Sequence, residues 1–386
     1  MTDPFGQFQN EIYLGGLAGQ VPPHPIRDED LEERARETLA PEAYDYVVGG
    51  AASEDTVREN REAFRRWRIV PRMLRGIEVR DLSTEVLGTS MPAPVLLAPV
   101  GVQGIIHPDA EAAVARAASS LGVPFVLSTV SSRSLEEVAE AAGDGPRWFQ
   151  LYWPNEEDLT VSFLDRAGAA GYSAVVLTLD TLMLAWRPRD LSRAYLPFLR
   201  GEGMATYTSD PVFRAGLASE EDPMQAVLRW AGVFPHPEAT WEKLAFVREH
   251  TDLPLVLKGI LHPDDARLAV EAGADGIVVS NHGGRQVDGA VATLDALPGV
   301  VEAVGDRVPI LLDSGIRTGA DALKAIALGA RAVLLGRPYV WGLAVGGEEG
   351  VRQVLRSFLA VLDLTLGLSG LTSLEQVTPD VLVRRS

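Results

Sequence analysis

Short apolar segments recur along this chain, and each is rich in Val, Ile or Leu. They are continuously apolar over four or five residues and do not alternate with polar positions. Continuous apolar strands are typical of a parallel sheet that is covered on both faces. We therefore expect buried strands at eight places: Pro94–Ala98, Phe125–Ser128, Trp148–Leu151, Ala174–Thr178, Leu255–Lys258, Gly276–Val279, Pro309–Leu312 and Ala332–Leu335.

Patterns typical of helices, rich in Ala, Glu and Leu, lie between most of these strands. Examples are Asp109–Leu121, Leu135–Ala142, Pro263–Ala272 and Ala320–Leu328. Glycine is favoured just past a helix end, and several of the helices end at a glycine shortly before the next strand, at Gly122, Gly171, Gly273 and Gly329.

About eight such units predict an α/β protein with a (β/α)8 TIM barrel. The alternative is a doubly wound parallel sheet. We favour the barrel because no G-x-G-x-x-G motif follows the first strand, so the dinucleotide-binding fingerprint of the doubly wound fold is missing.

Two regions fall outside this repeat. Residues 1–90 precede the barrel and predict a helical segment that packs on it, with helices at Leu31–Leu39 and from Pro41 to Tyr46. Residues 91–386 form the barrel domain. A long connection, about 181–254, leaves the end of the fourth strand and contains no clear strand pair. Connections of this length are functional or disordered, and we predict a mobile lid.

Composition narrows the class of partner. The chain has 386 residues and a formal net charge of −18, which argues against binding to nucleic acid or to an anionic membrane. It has no cysteine, so disulfides, thiolate nucleophiles and Cys-ligated metals are excluded, and no metal site is predicted. The N-terminal residues 1–7 lack the basic and apolar regions of a signal peptide, and no apolar run is long enough to span a bilayer. We expect a cytoplasmic protein.

Polar residues collect where the predicted strands end. The carboxyl ends of barrel strands meet at one face, which is where barrels build active sites. The residues concerned are Gln150 and Tyr152, Thr178 and Asp180, Lys258, the segment Ser280–Gln286, the segment Asp313–Gly319, and Gly336 with Arg337.

The segment Ser280–Gln286 carries the strongest chemical signal. His282 can move a proton near neutral pH, and Arg285 can hold a carboxylate through two parallel hydrogen bonds. Asp180 could orient His282, or it could cap a helix. A base beside a carboxylate-binding cation predicts chemistry on a small organic acid, whereas the plainer interpretation is a turn that joins a strand to a helix.

An anion site and a buried lysine complete the pattern. Gly315–Gly319 and Gly336–Arg337 lie where barrels commonly bind phosphate, and Arg317 and Arg337 add positive charge. Lys258 ends an apolar strand. It could form a Schiff base, hold a positive charge over a cofactor, or extend to solvent.

The sequence Ser-Asn-His-Gly-Gly-Arg-Gln at 280–286 resembles the active-site signature of the FMN-dependent 2-hydroxy acid oxidase and dehydrogenase family. The resemblance extends from about Tyr46 to the C-terminus. It implies FMN on a (β/α)8 barrel, a small 2-hydroxy acid and O2 as substrates, and a homo-oligomer that is a tetramer or larger.

The same resemblance implies a role for each residue at the strand ends. His282 would be the base, paired with Asp180; it would accept the hydroxyl proton as a hydride leaves the substrate, or remove the C2 proton in a carbanion route. The substrate would be bound by Tyr46, Tyr152, Arg187 and Arg285. The flavin would contact Ala98, Pro99, Val100, Gly101, Ser128, Gln150, Thr178, Lys258 and Ser280. Its ribityl chain and phosphate would contact Asp313, Gly315, Arg317, Gly336 and Arg337.

Within that family the chain most resembles the lactate 2-monooxygenases, in Asn10–Tyr13, Trp186–Leu191, Pro197–Gly201 and Gly101. Most members of the family have alanine at the position of Gly101, and the resemblance implies that the missing methyl group leaves space beside the flavin. It also implies that L-lactate and O2 give acetate, CO2 and water. The alternative is an oxidase that releases a keto acid and hydrogen peroxide. Val130 and Gln286–Asp288 depart from the family pattern and leave the residues around the substrate methyl open. From other classes, the alternatives are a Schiff-base aldolase using Lys258 and a phosphate-ligand binding protein.

Overall fold

Eight parallel strands close into a barrel in this computed structural model. The model describes residues 4–219 and 222–385. Consecutive barrel strands pair with each other, and the last pairs with the first. The predicted (β/α)8 barrel is confirmed. Two predictions fall partly outside the described residues. Residues 1–3 belong to the N-terminal stretch that we interpreted as lacking a signal peptide, and residues 220–221 belong to the long connection.

In the described residues before the barrel, the chain forms four helices and three short strands. The hairpin of the second and third strands contributes Val86 and Met91 to the apolar interior of the barrel. These elements are α1 (Gln7–Leu17), α2 (Asp28–Thr38), α3 (Pro41–Val48), α4 (Asp55–Arg66), β1 (Trp67–Ile69), β2 (Thr84–Val86) and β3 (Thr89–Met91). The helices expected at Leu31–Leu39 and from Pro41 are present as α2 and α3.

The barrel strands are apolar throughout because both of their faces are buried. Leu96, Val126 and Val176 belong to the cluster inside the barrel, while their neighbours Leu97 and Leu127 pack outward with the helices. The strands are β4 (Val95–Leu97), β5 (Phe125–Ser128), β6 (Arg147–Tyr152), β7 (Val175–Thr178), β8 (Leu255–Ile260), β9 (Gly276–Val279), β10 (Ile310–Leu312) and β11 (Ala332–Leu335).

Helices cover the outside of the barrel. The predicted helix ends at Gly122, Gly171, Gly273 and Gly329 all have positive φ. The helices up to the fourth barrel strand are α5 (Ala110–Ser119), α6 (Leu135–Ala142) and α7 (Glu157–Ala169). The later ones are α13 (Pro263–Glu271), α14 (Thr293–Val304), α15 (Gly319–Ala327) and α16 (Arg337–Leu368), which is kinked at Gly346 and Gly347. A final strand, β12 (Leu382–Arg384), pairs with β1.

The long connection after β7 is helical in its described residues. Sequence reasoning assigned no element to it, because its helices are short and interrupted by Pro and Gly. They are α8 (Pro188–Ser192), α9 (Ala205–Thr208), α10 (Pro211–Ala215), α11 (Pro223–Val233) and α12 (Leu244–Glu249). Single 3-10 turns occur at Gln103–Ile105, Pro197–Arg200, His282–Gly284, Gly305–Arg307, Leu374–Gln376 and Pro379–Val381.

Among the described helices, none combines the length and apolar character needed to cross a membrane.

Candidate active site

A pocket opens at the carboxyl ends of the barrel strands. Most of the residues predicted from the strand ends or from the family resemblance line it: Tyr46, Ala98, Pro99, Val100, Gly101, Tyr152, Arg187, Lys258, His282, Arg285, Asp313, Gly315, Arg317, Gly336 and Arg337. The other predicted residues, Ser128, Gln150, Thr178, Asp180 and Ser280, are not part of its lining. They lie next to it at the ends of the same strands.

These remaining residues support the lining from behind. The Ser280 hydroxyl accepts hydrogen bonds from Lys258 Nζ at 3.0 Å and from the His282 backbone N–H at 3.1 Å. The Ser128 hydroxyl donates to Gln150 Oε1 at 2.9 Å. Ser280, Ser128 and Gln150 are fully buried, so they hold neighbouring strand ends in register.

His282 and Asp180 form a largely buried pair at the ends of β9 and β7, with side chains 16% and 11% exposed. His282 Nδ1 lies 2.7 Å from Asp180 Oδ1, and the Thr181 hydroxyl donates to the same carboxylate oxygen at 2.9 Å. On the other side of the ring, Nε2 lies 3.4 Å from the Tyr152 hydroxyl. The sequence-based pairing of Asp180 with His282 matches this geometry; Asp180 does not cap a helix.

The protonation state of the pair follows from its surroundings. Burial opposes ionisation of Asp180, but the neighbouring Lys258 and His282 hold the pKa of Asp180 well below its usual range. Burial lowers the pKa of His282, against the opposing effect of Asp180. At neutral pH the pair is therefore a carboxylate and a neutral imidazole. Nδ1 donates its proton to the carboxylate, which leaves the Nε2 lone pair facing the pocket.

The backbone around His282 is constrained. His282 has φ of 57°, in the left-handed region that favours glycine. Gly283 and Gly284 continue this turn with positive φ, and a Cβ on Gly284 would lie 2.7 Å from the Val57 backbone nitrogen. The Gly283 N–H donates to the Ser314 hydroxyl at 2.9 Å. The two glycines of the signature segment therefore let the chain turn tightly against α4 and present the imidazole to the pocket.

Lys258 is a buried cation between two carboxylates. Its Nζ lies 3.7 Å from Asp180 Oδ2 and 3.5 Å from Asp313 Oδ2. Burial alone would lower the pKa of Lys258, but these two carboxylates raise it above its usual value. Lys258 is therefore a permanent positive charge at the pocket wall and does not extend to solvent.

Arg187 and Arg285 lie next to each other. Asp190 raises the pKa of Arg285 from nearby, but neither arginine forms an ion pair with a carboxylate among the described residues. Arg285 Nη1 donates to the carbonyls of Tyr46 and Gly49 at 2.6 and 2.8 Å. Arg187 Nε donates to the Arg285 carbonyl at 3.1 Å, and its Nη2 donates to Gln286 Oε1 at 2.8 Å. Burial and the neighbouring Arg187 lower the pKa of Arg285 to about 10. Two buried like charges held by neutral acceptors favour an anion.

A second cationic region adjoins the first, since Arg285 and Arg337 both donate to the Gly49 carbonyl. Arg337 donates to the carbonyls of Val47, Val48, Gly49 and Gly283 at 3.0–3.3 Å. Burial and the nearby Arg317 and Arg285 lower the pKa of Arg337 to about 9.

Within residues 4–219 and 222–385, no group of three or more His, Cys, Asp or Glu side chains is arranged to hold a metal ion.

Comparison with known proteins agrees with this site. A family model described as FMN-dependent dehydrogenase matches residues 35–384. An FMN-dependent alpha-hydroxy acid dehydrogenase, qulF of Penicillium citrinum, is 46% identical over 99% of this chain and 96% of its own. An L-lactate oxidase of Lysinibacillus sphaericus is 44% identical over 97% of this chain and 96% of its own. The crystal structure of a mandelate oxidase, 41% identical, superimposes with a TM-score of 0.83 over 94% of this chain and 98% of that chain.

The chain belongs to the FMN-dependent 2-hydroxy acid oxidase and dehydrogenase family. Its cofactor is FMN, and it is an oxidoreductase that acts on 2-hydroxy acids.

The pocket of this family member fits FMN. A Cβ on Gly336 would meet no atom nearer than Ala98 Cβ at 3.9 Å, so a side chain there would fill the pocket itself. Gln150 Nε2 and Thr178 Oγ1 are buried without a hydrogen-bond partner among the described residues, and a polar ring edge at the strand ends would satisfy them. Lys258 supplies positive charge at the same place.

The connection after β7 contributes an aromatic wall that sequence reasoning missed. Phe198 stacks on Trp230 with ring centroids 4.6 Å apart, and Trp230 stacks on Phe234 at 5.6 Å. All three are buried and line the pocket together with Leu184. The sequence marks Phe198 only within the Pro197–Gly201 run, and no periodicity in the connection brings the three rings together.

Gly101 lines the pocket as predicted, but the structure gives the missing side chain another explanation. A Cβ on Gly101 would meet Cγ2 of Val130 and would lie 2.8 Å from the Val130 carbonyl oxygen. The space that the absent methyl group leaves is therefore occupied by Val130. Gly101 packs closely against the loop after β5 and does not leave an open volume there.

Proposed function

We propose that this protein oxidises L-lactate, or a 2-hydroxy acid of similar size, with O2, and that it acts as a lactate 2-monooxygenase yielding acetate, CO2 and water. The observation that carries the oxidation chemistry is the neutral His282 imidazole facing the same pocket as two arginines that lack carboxylate partners.

Arg187 and Arg285 bind the substrate carboxylate. Both guanidiniums are held in place by neutral oxygens, so the bound carboxylate becomes their counter-ion. Tyr46 packs beside this pair, with the Arg285 guanidinium 5.1 Å from the centre of its ring. Burial raises the pKa of Tyr46 and raises that of Tyr152 to about 12. Both phenols therefore keep their protons and can donate hydrogen bonds to substrate oxygens.

His282 accepts the substrate proton at Nε2. The Asp180 carboxylate fixes the tautomer through Nδ1 and stabilises the imidazolium once the proton has arrived. Tyr152 lies on the Nε2 side of the ring and orients the hydroxyl group that is deprotonated. Bound FMN supplies the two-electron acceptor that this protein's own side chains lack. The permanent charge of Lys258 stabilises negative charge that develops beside it.

The monooxygenase outcome requires that the keto acid stays bound while oxygen reacts. The wall formed by Phe198, Trp230 and Phe234 closes the pocket on the side of the connection. A keto acid held by two arginines beneath this wall leaves slowly, which favours its decarboxylation over its release.

The second candidate is a simple oxidase that releases pyruvate and hydrogen peroxide. The lactate oxidases of Lysinibacillus sphaericus and of Nostoc, 44% and 43% identical to this chain, favour it. The packing of Val130 against Gly101 also favours it, because that glycine does not add free volume to the pocket.

The Schiff-base aldolase is the weaker alternative. Schiff-base formation needs an unprotonated amine, whereas Asp180 and Asp313 keep Lys258 protonated. A nucleophilic lysine needs surroundings that lower its pKa, whereas the two carboxylates beside Lys258 raise it.

Analysis of the products decides between the first two candidates. Purified protein turns over L-lactate in air, and acetate, CO2, pyruvate and hydrogen peroxide are measured. Acetate and CO2 in equal amounts, without free peroxide, support the monooxygenase. Stoichiometric pyruvate and peroxide support the oxidase, and absence of any oxygen consumption with 2-hydroxy acids contradicts both. A cytoplasmic location and a homo-oligomer of four or more chains, inferred from composition and family resemblance, stay predictions.

A further inference from the structure

A carboxylate from the N-terminal region contacts Arg317, one of the two arginines predicted from the sequence to bind the FMN phosphate. Asp28, the first residue of α2, places Oδ2 3.2 Å from Arg317 Nε. Both side chains are largely buried, 15% and 14% exposed. The other carboxylate oxygen, Oδ1, is buried and has no hydrogen-bond partner among the described residues.

The position is unfavourable for a carboxylate. Burial raises the pKa of Asp28 to about 6, against the opposing effect of Arg317. The other charged groups that face it are Arg61 from α4, and Glu29 and Glu32 from its own helix. A buried carboxylate with one unsatisfied oxygen costs folding free energy, and nothing in the proposed catalysis uses it.

We propose that Asp28 is an internal anion that competes with the phosphate of FMN for Arg317 and so weakens retention of the cofactor. This inference rests on the proposed placement of the phosphate at Arg317 and Arg337. When the phosphate is bound, Asp28 is a like charge beside it and shares its cation. When the phosphate leaves, Asp28 remains as the counter-ion that keeps Arg317 satisfied.

The two arginines differ in this respect. Arg337 is held by four backbone carbonyls, whereas Arg317 has a carboxylate in direct contact. Because like charges a few ångströms apart repel even with partial solvent screening, removing the charge of Asp28 should slow the release of FMN, by about fivefold.

The test follows FMN release from the holoenzyme. After dilution, the recovery of flavin fluorescence gives the rate of release from the wild type and from Asp28→Asn. Asparagine keeps the shape of the side chain and an oxygen that can accept from Arg317 Nε, so only the charge is removed. Glu29→Gln is the matched control, because it removes one negative charge from the same helix at a side chain that is 75% exposed. Its release rate should equal that of the wild type.

Riboflavin has no phosphate, so its binding shows whether an effect of Asp28 acts through the phosphate of FMN. Its affinity should be the same in the wild type and in Asp28→Asn. Slower FMN release with unchanged riboflavin affinity supports the proposal. FMN release that is unchanged or faster in Asp28→Asn overturns it, as does an equal change for riboflavin. Asp28→Ser, which also removes the charge, replaces Asp28→Asn if that variant does not fold.

Arg317→Gln separates the possible failures. If it releases FMN faster than the wild type while Asp28→Asn changes nothing, the phosphate lies on Arg317 and only the competition by Asp28 is overturned. If Arg317→Gln also releases FMN at the wild-type rate, the placement of the phosphate is wrong and the proposal falls with it. Neither result depends on oxidation of lactate, which the product analysis tests independently.

Discussion

The buried cations of this pocket fall into two kinds. Lys258 lies between the carboxylates of Asp180 and Asp313, which raise its pKa. Arg285 and Arg337 are held by backbone carbonyls, and burial with neighbouring arginines lowers their pKa values to about 10 and about 9. We call a cation balanced when carboxylates neutralise its charge, as they do for Lys258; such a cation positions the groups around it. We call it unbalanced when only backbone carbonyls accept its hydrogen bonds; such a cation favours binding of an anion.

This difference assigns roles on the two sides of the pocket. The balanced side, around Lys258, keeps Asp180 ionised and His282 neutral, so it prepares the base. In the function proposed above, the unbalanced side around Arg187 and Arg285, whose guanidiniums donate to backbone carbonyls, would bind the substrate carboxylate. Arg317 is intermediate between the two kinds, because it contacts one carboxylate, that of Asp28, whereas Lys258 contacts two.

Removing the base should have the largest effect. His282→Ala leaves the arginines and FMN contacts in place but removes the only imidazole that lines the pocket among the described residues. We expect turnover to fall by roughly 10²–10⁴-fold or more, as for a lost general base, with the visible flavin spectrum retained. The measurement is anaerobic reduction of the flavin by L-lactate. His250→Gln, at an exposed histidine, is the control, and near-normal reduction in His282→Ala would refute the assignment.

The next effect tests the unbalanced side. Arg187→Met and Arg285→Met each leave a substrate carboxylate with one cation fewer, so binding should weaken by about 2–5 kcal/mol. Affinity for L-lactate is measured from the substrate dependence of anaerobic flavin reduction. Arg267→Met on α13, whose side chain is 49% exposed, should match the wild type. Unchanged affinity in both pocket variants rules out the carboxylate clamp.

The sequence predicted the balanced side better than the rest. Strand ends in a barrel converge by geometry, so Lys258, Asp180 and His282 could be placed together from their positions alone. The hydrogen bond between His282 and Asp180 and the ion pair between Lys258 and Asp180 match that expectation. The Ser280 hydroxyl is hydrogen-bonded to Lys258 and to the His282 backbone, and its contact with FMN stays a prediction.

The connection and the N-terminal region could not be placed in the same way. Phe198 lies in the 3-10 turn Pro197–Arg200, whereas Trp230 and Phe234 lie at the C-terminal end of α11. Their stacking joins segments that are distant in sequence. Asp28 reaches Arg317 across 289 positions, and no local pattern marks it. The sequence suggested that Gly101 leaves space in the pocket. Its close packing against Val130 is visible only in the three-dimensional structure.

The pH dependence gives a smaller effect on the balanced side. The base must be neutral, so kcat/KM should fall as pH drops through the pKa of His282, which burial places below its usual value of 6.5. Asp180 raises that pKa, so Asp180→Asn should move the acid limb to still lower pH while also lowering the maximum. The measurement is the pH profile of kcat/KM for both proteins. An acid limb that stays in place or moves to higher pH in Asp180→Asn would contradict the pairing.

The smallest effect concerns the packing of Gly101 against Val130 in the loop after β5. Gly101→Ala forces a methyl group onto Val130, and overpacking of this kind costs about 1–3 kcal/mol. We expect a lower free energy of unfolding in urea, partly restored by adding Val130→Ala, which removes the side-chain contact but not that with the carbonyl. Full wild-type stability of Gly101→Ala would show that the loop has room. A change in the acetate-to-pyruvate ratio in that variant would support a role for Gly101 in retaining the keto acid.

The most direct test of the central claim compares L-lactate with L-lactamide, its neutral amide, in anaerobic reduction of the wild-type flavin. The two substrates offer His282 the same hydroxyl group but only lactate offers the arginines a negative charge. The account predicts rapid reduction by L-lactate and a second-order rate constant for L-lactamide that is lower by at least about 100-fold, in line with the loss of a buried charged interaction. Equal rate constants for the two substrates would contradict it, because the buried arginines would then not be selecting a carboxylate.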